Sequence, residues 1–191
     1  MSATELLQIP EVREHLSPVS VEEYHQFPER NHRGRRTELV RGIVIEKMPK
    51  SPLHRWLATF LYKLIDRTVG NQLMVWLEQP LTFVDSEPEP DISVATGSLD
   101  DYMDHHPQTA LLVIEVAVTS IDLDRAKAEI YAEADVQEYW IIDPTTKRVE
   151  VYRLPKDGTY TSKKDYGLME TVKCQSIPAI QVEVRSLFPM I

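Results

Sequence analysis

The chain has 191 residues, 42% of them hydrophobic, with 21 Lys and Arg against 30 Asp and Glu and a formal charge of −9. That apolar share suits a sizeable core and excludes intrinsic disorder, while the acidic balance argues against coating nucleic acid by bulk charge and leaves room for a local basic patch. No run approaches the ~18 apolar residues of a membrane span, and the first twenty residues lack a basic start followed by an apolar stretch, so no membrane partner and a cytoplasmic location are expected.

No repeat or long linker divides the chain, so residues 18–191 are expected to form one domain after an arm of residues 1–17. Ser20-Val21-Glu22-Glu23 reads as a capping box that starts a short helix ending near Pro28. A basic loop follows, with Arg30, Arg33, Arg35 and Arg36. Residues 37–48 alternate as two short strands around Arg41-Gly42. Ser51-Pro52 opens the clearest helix, serine at the N-cap and proline at the first position. Leu53, Trp56, Leu57, Phe60, Leu61, Leu64 and Ile65 recur on one face as a core stripe, and Gly70 stops the helix.

Residues 73–84 read as a strand pair or one bent strand interrupted by Pro80, and residues 90–95 as a further strand. An acidic loop carries Asp100, Asp101 and Asp104; His105 and His106 read as part of that solvated loop. Residues 110–118 are apolar enough for a strand buried on both faces. A helix over 122–134, a buried strand over 139–142, a returning strand over 149–152 and a hairpin turn at Asp157-Gly158 complete the pattern. Short strands and a closing turn end the chain. The whole is an α/β domain, a central mixed sheet flanked by helices.

Several chemistries are absent. There is no phosphate loop with a lysine, no dinucleotide fingerprint and no His-Glu-x-x-His. The single cysteine, Cys174, excludes an intrachain disulfide and a cysteine zinc site, and nothing around it activates a nucleophile. What stands out is a set of misplaced charges. Glu115 interrupts an apolar strand, where an ionised carboxylate needs a cation or hydrogen bonds unless it lies near a strand end open to water. Lys127 shares the inward face of its helix with Leu123, Ile130 and Tyr131, so it either snorkels to solvent or meets a carboxylate, for which Glu115 is the candidate. Asp91 opens a strand directly after Pro90, and Glu38 starts the strand that follows the basic loop. An Asp and a Glu on neighbouring strands beside a lysine suit a hard divalent cation such as Mg2+, which can polarise a phosphoryl oxygen and acidify a bound water. His54 sits at the third helical position, where it either faces a phosphate or caps the first turn. The basic loop is either a contact for a polyanion or a solvated charge run.

The order Pro90-Asp91, Glu115-Val116-Ala117, Lys127 resembles the PD-(D/E)XK superfamily of restriction-endonuclease-like nucleases. More narrowly, the chain is similar to the Uma-two family (domain of unknown function 820). The stretches that carry this likeness are Glu38-Leu39-Val40-Arg41-Gly42, Ser51-Pro52-Leu53-His54, Pro90-Asp91-Ile92-Ser93-Val94 and Glu115-Val116. The longest is Asp124-Arg125-Ala126-Lys127 through Tyr131 to Val136-Gln137-Glu138-Tyr139-Trp140-Ile141-Ile142-Asp143-Pro144. The resemblance implies a restriction-endonuclease-like core, a divalent metal (Mg2+, with Mn2+ as a substitute) and cleavage of phosphodiester bonds in DNA. By position, Asp91 and Glu115 would bind the metal, Glu38 would be a further acidic catalytic member and Lys127 the catalytic lysine. His54, Arg33, Arg35 and Arg36 would bind substrate. The superfamily's usual lysine position, two after the glutamate, is Ala117 here, so Lys127 has to take over. A homodimer fits, because double-strand cleavage in the superfamily commonly uses two sites. Two other readings stay open: an interaction or regulatory module that keeps the fold with little activity, and a metal-dependent hydrolase of a smaller phosphate ester.

Overall fold

The computed structural model describes residues 7–26, 31–32 and 35–188. A first helix, α1 (Pro10–Glu14), buries none of its side chains. The capping box forms: the Ser20 N–H donates to Glu23 Oε2 at 2.9 Å and the Glu23 N–H to Ser20 Oγ at 3.2 Å, opening α2 (Val21–Gln26). The expected stop near Pro28 lies outside the described residues. A small antiparallel sheet follows, of β1 (Asn31–His32), β2 (Arg35–Val40) and β3 (Ile43–Glu46). Its β2–β3 turn places Arg41 and Gly42 at φ 53° and 71°, the left-handed pair that a two-residue hairpin requires. Gly42 has a second reason to be glycine, since a Cβ there would lie 2.4 Å from Pro18 Cβ.

Helix α3 (Pro52–Val69) is capped as its sequence reads, Ser51 Oγ accepting the His54 N–H at 3.2 Å. Its stripe is only partly core. Leu57, Leu61 and Ile65 are fully buried, but Leu53 and Trp56 are 42% and 43% exposed, and Trp56 stacks on Phe60 with ring centres 5.2 Å apart. Those two lie in the first two turns of the helix.

The main sheet has six strands in sequence order: β4 (Met74–Leu77), β5 (Ile92–Ala95), β6 (Leu112–Val116), β7 (Glu138–Asp143), β8 (Arg148–Lys156) and β9 (Thr159–Tyr166). All neighbours are antiparallel except β6 and β7, which are parallel and joined across helix α4 (Ile121–Glu133). Of the two readings of residues 73–84, a strand pair or one bent strand, the structure forms the single strand β4, which ends at Leu77 before Pro80. Glu78 adopts φ 55°, which turns the backbone out of the ladder, and Pro80 has no N–H to continue it. Asp157 and Gly158, at φ 50° and 76°, make the hairpin turn between β8 and β9. The chain then forms the hairpin β10 (Thr171–Lys173) and β11 (Gln181–Glu183), and closes with a short helix, α5 (Val184–Leu187), rather than a turn. Among the described residues no helix is long and apolar enough to cross a membrane.

Strand alternation decides which side chains meet which helix. On β6, Leu112, Ile114 and Val116 pack with Leu57, Leu61 and Ile65 of α3. Val113 points the other way, into a second cluster with Tyr131 of α4 and with Tyr139 and Ile141 of β7. Glu115 shares that second face by the period of two. Leu61→Ala should therefore cost ~2–5 kcal/mol, the range for a buried leucine, whereas Leu53→Ala should stay within ~0.5 kcal/mol of the parent. Urea denaturation measures both; equal losses would mean that α3 is turned differently on the sheet.

Candidate active site

The four carboxylate and lysine candidates arrive from four elements. Glu38 comes from β2, Glu115 from β6 and Lys127 from α4, while Asp91 immediately precedes β5. The antiparallel register that sets Ile92 opposite Ile114 puts Asp91 beside Glu115. The Asp91 N–H donates to Glu115 Oε2 at 3.2 Å, and the Val116 N–H donates to Asp91 Oδ2 at 2.8 Å. Each acid is thus held by the backbone of the other's strand.

Lys127 is buried, and its ammonium does not snorkel. Nζ lies 2.8 and 3.0 Å from the two Glu38 oxygens and 3.1 Å from Glu115 Oε1. Asp124, one turn earlier on α4, is 3.8 Å away and buried as well. Tyr131, one turn later, donates its hydroxyl to Glu115 Oε1 at 3.2 Å. Glu115 is 5% exposed, so it does not reach water at a strand end.

A lysine and a histidine face Asp91. Lys50 Nζ lies 2.9 Å from Asp91 Oδ1 and 2.9 Å from Glu78 Oε1, and His54 Nε2 lies 3.0 Å from Asp91 Oδ2. His54 therefore does two things: its backbone caps with Ser51, and its ring holds Asp91. Lys47 donates to the Glu89 carbonyl, and the Glu89 N–H donates to Glu38 Oε2 at 3.3 Å. Arg36 is paired with Glu89, and with Glu78 Oε2 at 3.1 Å. Arg35 lies on β2, and Arg30 and Arg33 lie outside the described residues.

Glu38, Lys47, Lys50, Asp91, Glu115, Asp124 and Lys127 line one pocket, with Ser120 and Leu123 at the start of α4 and Ser51 and His54 at the start of α3. Sequence reasoning missed Lys47, Lys50 and Asp124. Asp124 had a signal, since residues three apart on a helix share a face, which puts it beside Lys127. The two lysines sit in an irregular segment, where no periodicity points a side chain anywhere.

The proton affinities diverge. Burial alone would raise the Asp91 carboxyl, but the His54 hydrogen bond and the Lys50 charge outweigh it and hold the group well below the ordinary carboxylate range. Burial raises Glu115, against the pull of Lys127. Asp124 is pushed up to about 7, by burial first and the Glu115 charge second. Burial lowers Lys47; Lys127 is raised despite burial, because Glu115, Glu38 and Asp124 favour its charged form. Outside the pocket, burial raises the Cys174 thiol to about 12, so it is no nucleophile at neutral pH.

Among the described residues no three His, Cys, Asp or Glu groups converge as a ready ligand cage. Magnesium does not demand one, since one or two carboxylates with several waters suffice. The pocket carries five carboxylates, Glu38, Glu46, Asp91, Glu115 and Asp124, against the three lysines. That surplus of hard oxygen donors suits a divalent cation.

A mixed sheet with one parallel pair, a crossover helix bearing an inward lysine, and paired acids on adjoining strands define a restriction-endonuclease-like nuclease fold. A solved structure from Anabaena variabilis ATCC 29413, described as "a putative nuclease belonging to DUF820", shares it with a TM-score of 0.77. The match covers 90% of this chain and 98% of that one, at 21% identity. A sequence model of the Uma2 family, described as "Putative restriction endonuclease", matches residues 21–185. The chain belongs to the Uma2 family, and family and fold together support a nuclease-like function. No curated protein matches the chain.

Two outcomes test the electrostatics. Lys127→Met leaves Glu38 and Glu115 buried without their cation and should cost ~3–5 kcal/mol. Adding Glu115→Gln should recover part of that loss in urea titrations; no recovery would mean that packing, and not charge, is what the lysine supplies. The second concerns Asp124. Unfolded, its carboxyl loses the proton near 3.8; folded, it keeps the proton until about 7. The folded state therefore binds more protons in that interval, and its contribution to stability falls as pH rises from about 4 to 7. Asp124→Asn should flatten that slope, and an unchanged slope in denaturant midpoints would assign it to another group.

Proposed function

We propose that this chain is a divalent-metal-dependent nuclease that hydrolyses phosphodiester bonds in DNA, with residues 18–191 as its working unit. The observation that carries the reading is the buried Lys127 ammonium on Glu115 and Glu38, one strand away from Asp91. Lys127 takes the place of the lysine that the superfamily usually sets at the position of Ala117.

Asp91 and Glu115 would hold Mg2+, with Mn2+ as a substitute. When bound, such an ion polarises a phosphoryl oxygen and acidifies a coordinated water. Asp91 is suited to this because it stays ionised across the physiological range. Val116 and His54 fix one of its oxygens in place. Lys127 stays charged and is held by Glu38, so its ammonium can orient a water or stabilise charge that develops on a phosphoryl oxygen. Glu38 does not face the reaction alone; it positions Lys127. The starts of α3 and α4 both line the pocket and present the positive ends of their dipoles to a phosphate. Arg33 and Arg35 would hold the DNA backbone despite the acidic body, while Arg36 is already paired with Glu78 and Glu89.

The test is cleavage of supercoiled plasmid and of single-stranded DNA with Mg2+ or Mn2+. The parent should cleave only with metal. Asp91→Asn and Glu115→Gln should abolish cleavage, and Lys127→Ala should reduce it at least ~100-fold, the scale of one removed charge-stabilising donor. Calorimetric titration of Mn2+ should show binding to the parent and to Lys127→Ala but none to Asp91→Ala. Metal-independent cleavage, or cleavage retained in Glu115→Gln, would refute the site. Metal binding without cleavage of any nucleic acid would favour a fold kept for regulation.

A further inference from the structure

Lys50 was not a candidate on sequence grounds, yet it makes the closest cationic contact to the oxygen that a metal would need. Asp91 Oδ2 already accepts the Val116 N–H and faces His54 Nε2. Asp91 Oδ1 faces Lys50 at 2.9 Å. A divalent ion and an ammonium cannot share that oxygen at contact distance, because like charges repel most strongly where water is excluded. The lysine has an alternative partner already in reach, Glu78 Oε1, also at 2.9 Å. Glu78 cannot drift away, since its N–H donates to the Asp91 carbonyl at 3.1 Å and Arg36 holds its other oxygen at 3.1 Å. Its left-handed backbone, φ 55°, follows directly on the end of β4 at Leu77.

We propose that Lys50 is a displaceable counter-ion: it neutralises Asp91 in the metal-free protein and moves wholly onto Glu78 when a divalent cation binds. The inference rests on the reading of Asp91 as a metal ligand. Its consequence is a metal threshold set by Lys50 and Glu78 together. The lysine opposes binding by occupying Asp91, and Glu78 eases binding by giving the displaced ammonium a partner. After transfer, the positive charge remains beside the pocket that Lys50 lines.

The experiment is calorimetric titration of Mn2+ into the full chain, for the parent, Lys50→Met, Glu78→Gln and the double variant. Lys50→Gln, which is polar but uncharged, serves as a second lysine variant, and circular dichroism checks the fold of each. Both lysine variants should bind Mn2+ about 10-fold more tightly or better, as expected when a competing charge next to the ion is removed. Glu78→Gln should bind about 5-fold more weakly in the parent background and show little change in the Lys50→Met background, a coupling that bulk charge alone would not produce. Unchanged affinity in both lysine variants overturns the counter-ion role. Additive effects of the two substitutions overturn the transfer to Glu78. Failure of every variant and of the parent to bind Mn2+ overturns the metal reading itself, and this inference with it.

Discussion

Lys127 is the charge on which the pocket depends. It reaches Glu38 of the small sheet and Glu115 of the main sheet from a helix that belongs to neither. Burying an ammonium is costly, and so is burying two carboxylates; together, at 2.8–3.1 Å, each removes the penalty of the others. Such a cluster adds little net stability over a well-packed apolar core. It does demand one arrangement, because any shift of β2, β6 or α4 would leave a charge buried and unpaired.

Around that cluster the environment separates groups of the same chemical type. Asp91 faces Lys50 and His54 and ionises readily, while Glu115 and Asp124 are raised because burial and neighbouring anions oppose their charge. Two lysines diverge as well: Lys127 is held charged by its carboxylates, and burial weakens Lys47. Different environments give identical side chains different proton affinities, which is how one pocket offers both a readily ionised carboxylate and a fixed cation.

The fold supplies the convergence. The parallel pairing of β6 with β7 requires a crossover, and α4 is that crossover, so its first turns come back over the end of β6 that carries Glu115. The antiparallel neighbour β5 delivers Asp91 to the same end. Helix α3 crosses the other face and ends its capped N-terminus at the same rim, with His54 turned onto Asp91. The irregular segment after β4 adds Glu78, and the segment after β3 adds Lys47 and Lys50.

Much of this was legible in the chain. The capping box at Ser20, the Ser51-Pro52 helix start and the Asp157-Gly158 hairpin are local chemistry, in which the residues that stabilise a feature lie within four positions of each other. Glu115 and Lys127 stood out because each breaks an apolar pattern that its own element sets. The exposed start of α3 and the end of β4 at Leu77 were not legible. Periodicity tells which face a helix offers but not how far its neighbour extends, and a left-handed Glu78 is a backbone choice that no glycine announced. The sequence by itself determined which elements form and which buried charges need partners, because propensity and alternation act over a few residues. Only the tertiary structure decided that Glu38 and Glu115 share one ammonium and that Lys50 stands between Asp91 and Glu78, because those contacts span 12 to 89 positions and follow from strand register and helix crossover.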